Sequence, residues 1–150
     1  MKILINISVT IGTFAAMEFV AWFTHKYVMH GLLWHLHRDH HQGHTGFFEK
    51  NDAFFLIFAI PSVYCYITGL MYNDIRLYVG VGISLYGMAY FMVHDVIIHQ
   101  RFKIGRNSKN SYIRGIKRAH KIHHKYLNKR DGENFGMLFV PFKYFKTAGK

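Results

Sequence analysis

Three stretches of this sequence are long and apolar enough to cross a bilayer, and they limit the chain more than anything else in it. Ile3 to Phe23 is interrupted only by Glu18 and small polar groups. As a helix rising about 1.5 Å per residue it reaches roughly 30 Å, the thickness of the hydrocarbon core. Ala53 to Met71 is of similar length, and Pro61 is expected to bend it, because proline removes a helix hydrogen bond. Leu77 to Val93 is shorter but continues through Val96–Ile98 after His94 and Asp95. Within it Gly80 and Ser84 form a small-xxx-small pair, and Gly82 and Gly87 also permit close helix contact. Only Tyr72 to Ile75 separates the second and third runs, which predicts a tight hairpin and antiparallel neighbours. Lys2 ahead of an apolar stretch also resembles a signal peptide. Against that, the run is long, Glu18 interrupts it, and no clean small-x-small cleavage site follows.

The expected fold is therefore all-α: about three transmembrane helices plus a helical, His-rich lobe, in a single domain over residues 1–150. Charge gives the orientation. Lys2 and Arg76 lie on one side of the membrane, and the other seventeen of nineteen Lys and Arg lie between His25 and Asp52 or after Val93. The positive-inside rule puts both of those regions in the cytoplasm and the amino terminus outside, as in a multi-pass protein of the inner membrane. Every histidine then falls on the cytoplasmic side. A formal net charge of +11 would suggest nucleic acid as the partner of a soluble domain. Beside membrane spans it reads as topology and contact with anionic lipid, so no nucleic-acid partner is expected.

Beyond the third run, a stretch from about Tyr112 to Asn128 has Ile113, Ile116, His120, His123 and Leu127 on one helical face. Arg114, Lys117, Arg118, Lys121 and Lys125 occupy another, which reads as a cationic amphipathic helix beside the headgroups. Asp131-Gly132 marks a turn, and Phe142 to Phe145 are expected to anchor the tail at the interface. Cys65 is the only cysteine, which excludes an internal disulfide and a thiolate metal site.

All twelve histidines lie at or just after the cytoplasmic ends of the runs, and ten fall into four patterns. His25 and His30 make HxxxxH, and His37, His40 and His41 make HxxHH. His94 and His99 repeat the first pattern, and His120, His123 and His124 repeat the second. In HxxHH the positions i, i+3 and i+4 share one helix face, so three imidazoles can converge on metal. HxxxxH is harder to satisfy, because positions five apart differ by roughly 140° around an α-helix. Both members can bind only if the helix ends, bulges or serves different metals, and a helix end or π-bulge is expected at each pair. Ten imidazoles exceed what one tetrahedral ion needs and suit two metals with about four or five each. A His-rich, Cys-poor set suits iron, zinc or another imidazole-binding ion. The competing reading is a set of surface histidines that contact lipid or bind metal adventitiously.

His35 and His44 stand outside the four patterns, as outer-layer or surface residues, although His35 and His40 also make an HxxxxH. Asp39 and Asp95 adjoin the histidines and can orient imidazoles by accepting an N–H, or can be solvated carboxylates. Glu18 lies within a span, where a carboxylate is costly and usually functional. It precedes His25 by two helical turns and so faces the same way. A role behind the metal site and a helix-packing hydrogen bond are the two readings. Phe91, Met92 and Tyr27 are candidate pocket walls or core packing.

Several stretches carry a family resemblance: His25-Lys-Tyr-Val-Met-His-Gly31, His37-x-x-His40-His41, Phe48-Glu-Lys-Asn-Asp52 and Tyr90-Phe-Met-Val-His-Asp95. His99-Gln-Arg101, Ala119-His-x-x-His-His124 and Asn134-Phe-Gly136 complete the set. Together, from about Glu18 to Pro141, they resemble the membrane-bound fatty acid hydroxylase and sterol desaturase superfamily, and within it the bacterial β-carotene 3-hydroxylases. The extra His35 and His44 around the second motif depart from that pattern and blur the ligand count there. The resemblance implies a non-haem di-iron monooxygenase held by the ten patterned histidines, with O2 as co-substrate. It also implies hydroxylation at carbon 3 of a β-ionone ring, taking β-carotene through cryptoxanthin to zeaxanthin.

Hydroxylating an unactivated C–H bond needs an oxidant that no side chain supplies, so metal must carry it. Two electrons per turnover are expected from an external donor, since no Gly-rich nucleotide loop appears and a chain of this length leaves no room for a haem or flavin domain. An acidic, ferredoxin-type protein docking on the basic lobe is one reading, and anionic lipid held there is the other. A fatty-acid or sterol hydroxylase with the same metal site is the nearest functional rival. A membrane metal-binding or transport protein would place its polar ligands within the spans, and a zinc protease would carry HExxH.

Overall fold

The structure is a computed structural model and describes residues 1–43, 46–104, 106–126 and 132–145. All its regular elements are helical, and no strand occurs among the described residues. Helix α1 (Lys2–Phe23) runs directly into a π-helical segment, π1 (Thr24–Leu32), which breaks at Gly31. Helix α2 (Trp34–Gln42) and a short 3-10 turn (Lys50–Ala53) follow. Helix α3 (Phe54–Tyr72) passes through Pro61 as one element, and α4 (Arg76–Phe91) continues into a second π segment, π2 (Met92–Ile98). Helix α5 (Ser111–Lys125) and a 3-10 turn (Phe142–Tyr144) complete the fold.

Three stretches, Lys2–Leu32, Lys50–Tyr72 and Arg76–Ile98, are long and apolar enough to cross a membrane. Their outer faces carry Ile3, Leu4, Ile11, Phe19, Phe55, Ile60, Val63 and Ile67, all exposed. Such a continuous apolar surface is untenable in water and ordinary in lipid.

Helix α4 lies between α1 and α3, and small residues let it. A Cβ on Gly80 would come within 3.0 Å of the Ser62 carbonyl, and the Ser62 hydroxyl bonds both the Gly80 carbonyl and the Ser84 hydroxyl. On the α1 side, a Cβ on Gly82 would lie 2.7 Å from the Thr10 carbonyl. Gly87 departs from the sequence expectation: nothing lies within 4 Å of a Cβ there, because it faces away from both neighbours. The hairpin turns at Asn73, whose φ of 50° is left-handed, and the Asp74 N–H closes it on the Gly69 carbonyl at 3.1 Å. The core between α1 and α4 gathers Met17, Ala21 and Tyr86, with Phe14, Phe58, Ile83, Tyr90 and Leu138 against it.

Asn110 caps α5 by accepting the Tyr112 and Ile113 N–H groups. The buried face of α5 carries Ile116, Ala119, His120 and His123. Leu127, Asn128 and Asp131, expected to extend and end this region, lie outside the described residues. The aromatic tail does not lie outward as a unit. Tyr144 is buried and bonds Glu133, and Phe145 packs on α5 so closely that a Cβ on Gly115 would meet its ring at 2.5 Å. Phe142 alone of Phe142, Tyr144 and Phe145 stays fully outward. A tail that can fill the notch at Gly115 gains more burial there than at an interface.

Candidate metal centre

The two HxxxxH pairs lie in the two π segments. His25 and His30 are within π1, and His94 is within π2 with His99 closing it. The hydrogen bonds are of the i→i−5 kind: His99 N–H to the His94 carbonyl at 2.9 Å, and Leu33 N–H to the Val28 carbonyl at 2.8 Å. A turn widened by one residue brings positions five apart onto one face, so each pair points inward from the end of a span.

Nine of the ten patterned histidines gather into two adjoining sets. His25, His30, His37, His41 and His123 form one, and His40, His94, His99 and His120 the other, with candidate ligand atoms within 4.8 Å of each other in each. Each HxxxxH pair serves one set, whereas the HxxHH helices α2 and α5 feed both. His124 sits between the sets, its ring 4.2 Å from that of His41 and 4.5 Å from that of His120.

Tautomers show what this arrangement is suited to hold. A neutral imidazole has one N–H. His25 Nδ1 donates to the Phe135 carbonyl at 3.0 Å, His37 Nδ1 to Asn51 Oδ1 at 2.6 Å, and His123 Nδ1 to the Glu133 carbonyl at 3.0 Å. Those acceptors fix the proton on Nδ1 and leave Nε2 as a bare lone pair. Yet the Nε2 atoms of His25 and His37 stand 3.1 Å apart, and those of His30 and His123 also 3.1 Å. For His25 and His37 the contact is lone pair against lone pair, which repels unless a cation lies between. In addition, His40 Nε2, His41 Nδ1 and His124 Nε2 are buried with no hydrogen-bond partner among the described residues. The donor set therefore fits divalent metal, and imidazoles suit iron as well as zinc.

The four-histidine set is backed by carboxylates. His40 Nδ1 donates to Glu49 at 2.7 Å and His94 Nδ1 to Asp95 at 3.1 Å. Arg101 ties this layer together, 2.8 Å from Asp52 and 3.4 Å from Asp95. Burial, with neighbouring imidazoles adding to it, holds His37 and His99 down to about 2, His40 and His123 to about 3 and His124 to about 4. His41 and His120 are pushed down for the same reasons. Neutral imidazole is the form that ligates.

The remaining sequence candidates fall differently. Asp95 meets an imidazole. Asp39 does not: its two oxygens accept the main-chain N–H of His40 and of Lys50, because a carboxylate at the end of α2 is nearer to backbone donors than to any ring. His35 is exposed, and His44 lies outside the described residues. The hydrogen-bond partners of Glu18 among the described residues are a tyrosine and main-chain amides, not imidazoles. It accepts the Tyr86 hydroxyl at 2.7 Å and the N–H groups of Met137, Leu138 and Phe139. Tyr27, Phe91 and Met92 are exposed and so are not core, and none of them lines the groove between α1 and the loop at Phe135. A groove of about 470 Å³ lies elsewhere, between α1 at Ala15, Phe19 and Trp22 and the loop at Phe135, Phe139 and Pro141. Glu49, Asn51 and the carbonyls of Glu133 and Phe135 had no role assigned from sequence. The Phe48–Asp52 and Asn134–Gly136 stretches were the available signal.

A fatty acid hydroxylase family model matches residues 10–147. The β-carotene hydroxylase of a Paracoccus species is 31% identical over 137 residues, covering 91% of this chain and 85% of that protein. That of Pantoea ananas is 35% identical over 136 residues, 91% of this chain and 78% of that protein. A chloroplastic β-carotene 3-hydroxylase of an Oncidium hybrid is 37% identical over 146 residues, and the chain spans about half of it (47%). No solved structure matches the chain.

Proposed function

The chain belongs to the fatty acid hydroxylase family, and we propose that it hydroxylates carbon 3 of the β-ionone ring of a bilayer-dissolved carotenoid at a pair of iron ions. The observation that carries the metal reading is the meeting of Nε2 lone pairs behind imidazoles whose Nδ1–H is already committed. The relatives named as β-carotene hydroxylases support the choice of substrate. In this reading the five-histidine set holds one ion, the four-histidine set the other, and His124 lies where either can be reached.

When bound, the two ions supply the reduction of O2 and the oxidation of the C–H bond, which no side chain can perform. Per turnover, one O2, two electrons and two protons give one C–OH and one water. The chain's own part is positional. Glu49, Asp95, Asn51 and two main-chain carbonyls hold the rings in their tautomers. The closely packed rings exclude water from the Nε2 atoms. Phe135 separates the lipid-side groove from the five-histidine set, its ring 5.2 Å from those of His30 and His123, and the reading places the ionone ring in that groove. With seventeen of nineteen Lys and Arg on the histidine side, that side faces the cytoplasm of an inner membrane. A ferredoxin-type donor would meet the exposed Arg114, Lys121 and Lys125 of α5.

Expression in a β-carotene-accumulating host should convert the pigment to cryptoxanthin and zeaxanthin. Anaerobically purified protein should carry about two irons per chain. Unchanged carotene alongside hydroxylated fatty acids or sterols would reassign the substrate. Full activity without iron would remove the metal reading.

A further inference from the structure

Glu18 is the seventeenth residue of the first span, which begins at Lys2, yet its hydrogen-bond partners among the described residues all lie far along the chain. Its Oε1 accepts three successive main-chain N–H groups, from Met137 at 2.8 Å, Leu138 at 3.0 Å and Phe139 at 3.1 Å. Its Oε2 accepts the Tyr86 hydroxyl of α4 at 2.7 Å and a second contact from Leu138 at 3.2 Å. The fit is close: a Cβ on Gly136 would stand 2.9 Å from Oε1. Three convergent amides on one carboxylate oxygen, beside the apolar phase, make a strong charge-assisted anchor.

What that anchor fixes lies one step upstream. Phe135 O and Glu133 O, two and four residues before the first anchored amide, receive the Nδ1–H of His25 and His123. The Phe135 ring also packs edge-on against His25, His30 and His123. All of these histidines belong to the five-histidine set. The imidazoles of the other set that have a described outer partner, His40 and His94, take it from the Glu49 and Asp95 carboxylates, and Glu18 reaches the rod that carries Asp95 only through the Tyr86 hydroxyl, nine residues before it.

We propose that Glu18 is a positioning residue for one metal only: it latches residues 137–139 to α1, so that the preceding carbonyls hold His25 and His123 with Nε2 aimed at the five-histidine site. The inference rests on the metal reading above and adds an asymmetry to it.

The test uses full-length, metal-stripped protein in detergent, titrated anaerobically with Co(II) and followed by its visible absorption. Wild type should take two equivalents, and failure to do so overturns the metal reading itself. In a His94→Ala background, which disables the four-histidine set, adding Glu18→Ala should weaken the ion still bound by about 10- to 100-fold. In a His37→Ala background, which disables the five-histidine set, the same change should leave the ion's affinity unaltered. Glu18→Gln keeps an oxygen for the three amides and should fall between wild type and Glu18→Ala. Equal weakening in both backgrounds, or none in the first, overturns the latch. If Glu18→Ala loses its helical circular dichroism, Glu18→Gln is held to the same selectivity.

Discussion

The five-histidine and four-histidine sets share their ligand chemistry and differ in what stands behind it. Behind the five lie neutral acceptors: two main-chain carbonyls and the Asn51 amide. Behind two of the four, His40 and His94, lie the carboxylates Glu49 and Asp95, with Arg101 bracing Asp95. A carboxylate behind an imidazole makes the ring a stronger donor than a carbonyl does. In the proposed reading, the set with fewer histidines has, at His40 and His94, the more basic rings. Two ions of the same element would be held differently, which is a way for one chain to make a pair whose members respond unequally to an incoming molecule.

The largest expected effect should not separate the sets. His37→Ala and His94→Ala each remove a proposed ligand, and each should lower hydroxylated pigment in a carotene-accumulating host by more than about 100-fold. A variant that retains full pigment conversion would remove its set from the chemistry. Next, Glu49→Gln should weaken iron retention against a chelator by about 10- to 100-fold, and Asn51→Leu by no more than about 10-fold. The reverse order would break the contrast between charged and neutral backing. Arg101→Gln acts only through Asp95 and Asp52 and should change retention by less than about fivefold.

Acid should affect both sets alike. His37, His40, His99 and His123 are held near 2 to 3 in the folded protein, whereas a free imidazole titrates near 6.5. Below that value the unfolded chain binds more protons than the folded one. Stability of the metal-free lobe is therefore intact above about pH 6.5 and declines as pH falls toward about 3. Thermal denaturation of metal-stripped protein across that range checks it. A decline confined to one set's variants would show that the sets differ in burial as well as backing.

Much of the molecule was legible from residue order alone. Length and apolarity marked the three spans, and the awkward spacing of His25–His30 and His94–His99 called for a helix end or a widened turn at each, of which the widened turn is what forms. Such features depend on side-chain type and period. The outer layer was harder to read because two of its five members are main-chain carbonyls. The Phe135 and Glu133 carbonyls have no identity that a sequence can advertise, and Glu18 gave no sign that its partners would be amides beyond residue 136. Asp39 looked like Asp95, each one residue from a histidine, but only their positions on α2 and π2 decided which reached a ring. Gly87 likewise looked like Gly82 until the helix azimuth was known.

The widened turns also govern phase. Each π segment inserts one residue into a rod that otherwise advances about 100° per residue, so everything after it is rotated relative to everything before. Upstream of π1, α1 can turn Ile11 and Phe19 toward lipid. Downstream, the same rod delivers two imidazoles to the interior without a bend in its axis before Gly31. A one-residue deletion between His25 and His30 would still leave that pair on a common face, now at the spacing an ordinary helix favours. It would also dial α2 around, carrying His37, His40 and His41 out of register, so the indel tolerance of this segment should be far lower than that of its individual side chains.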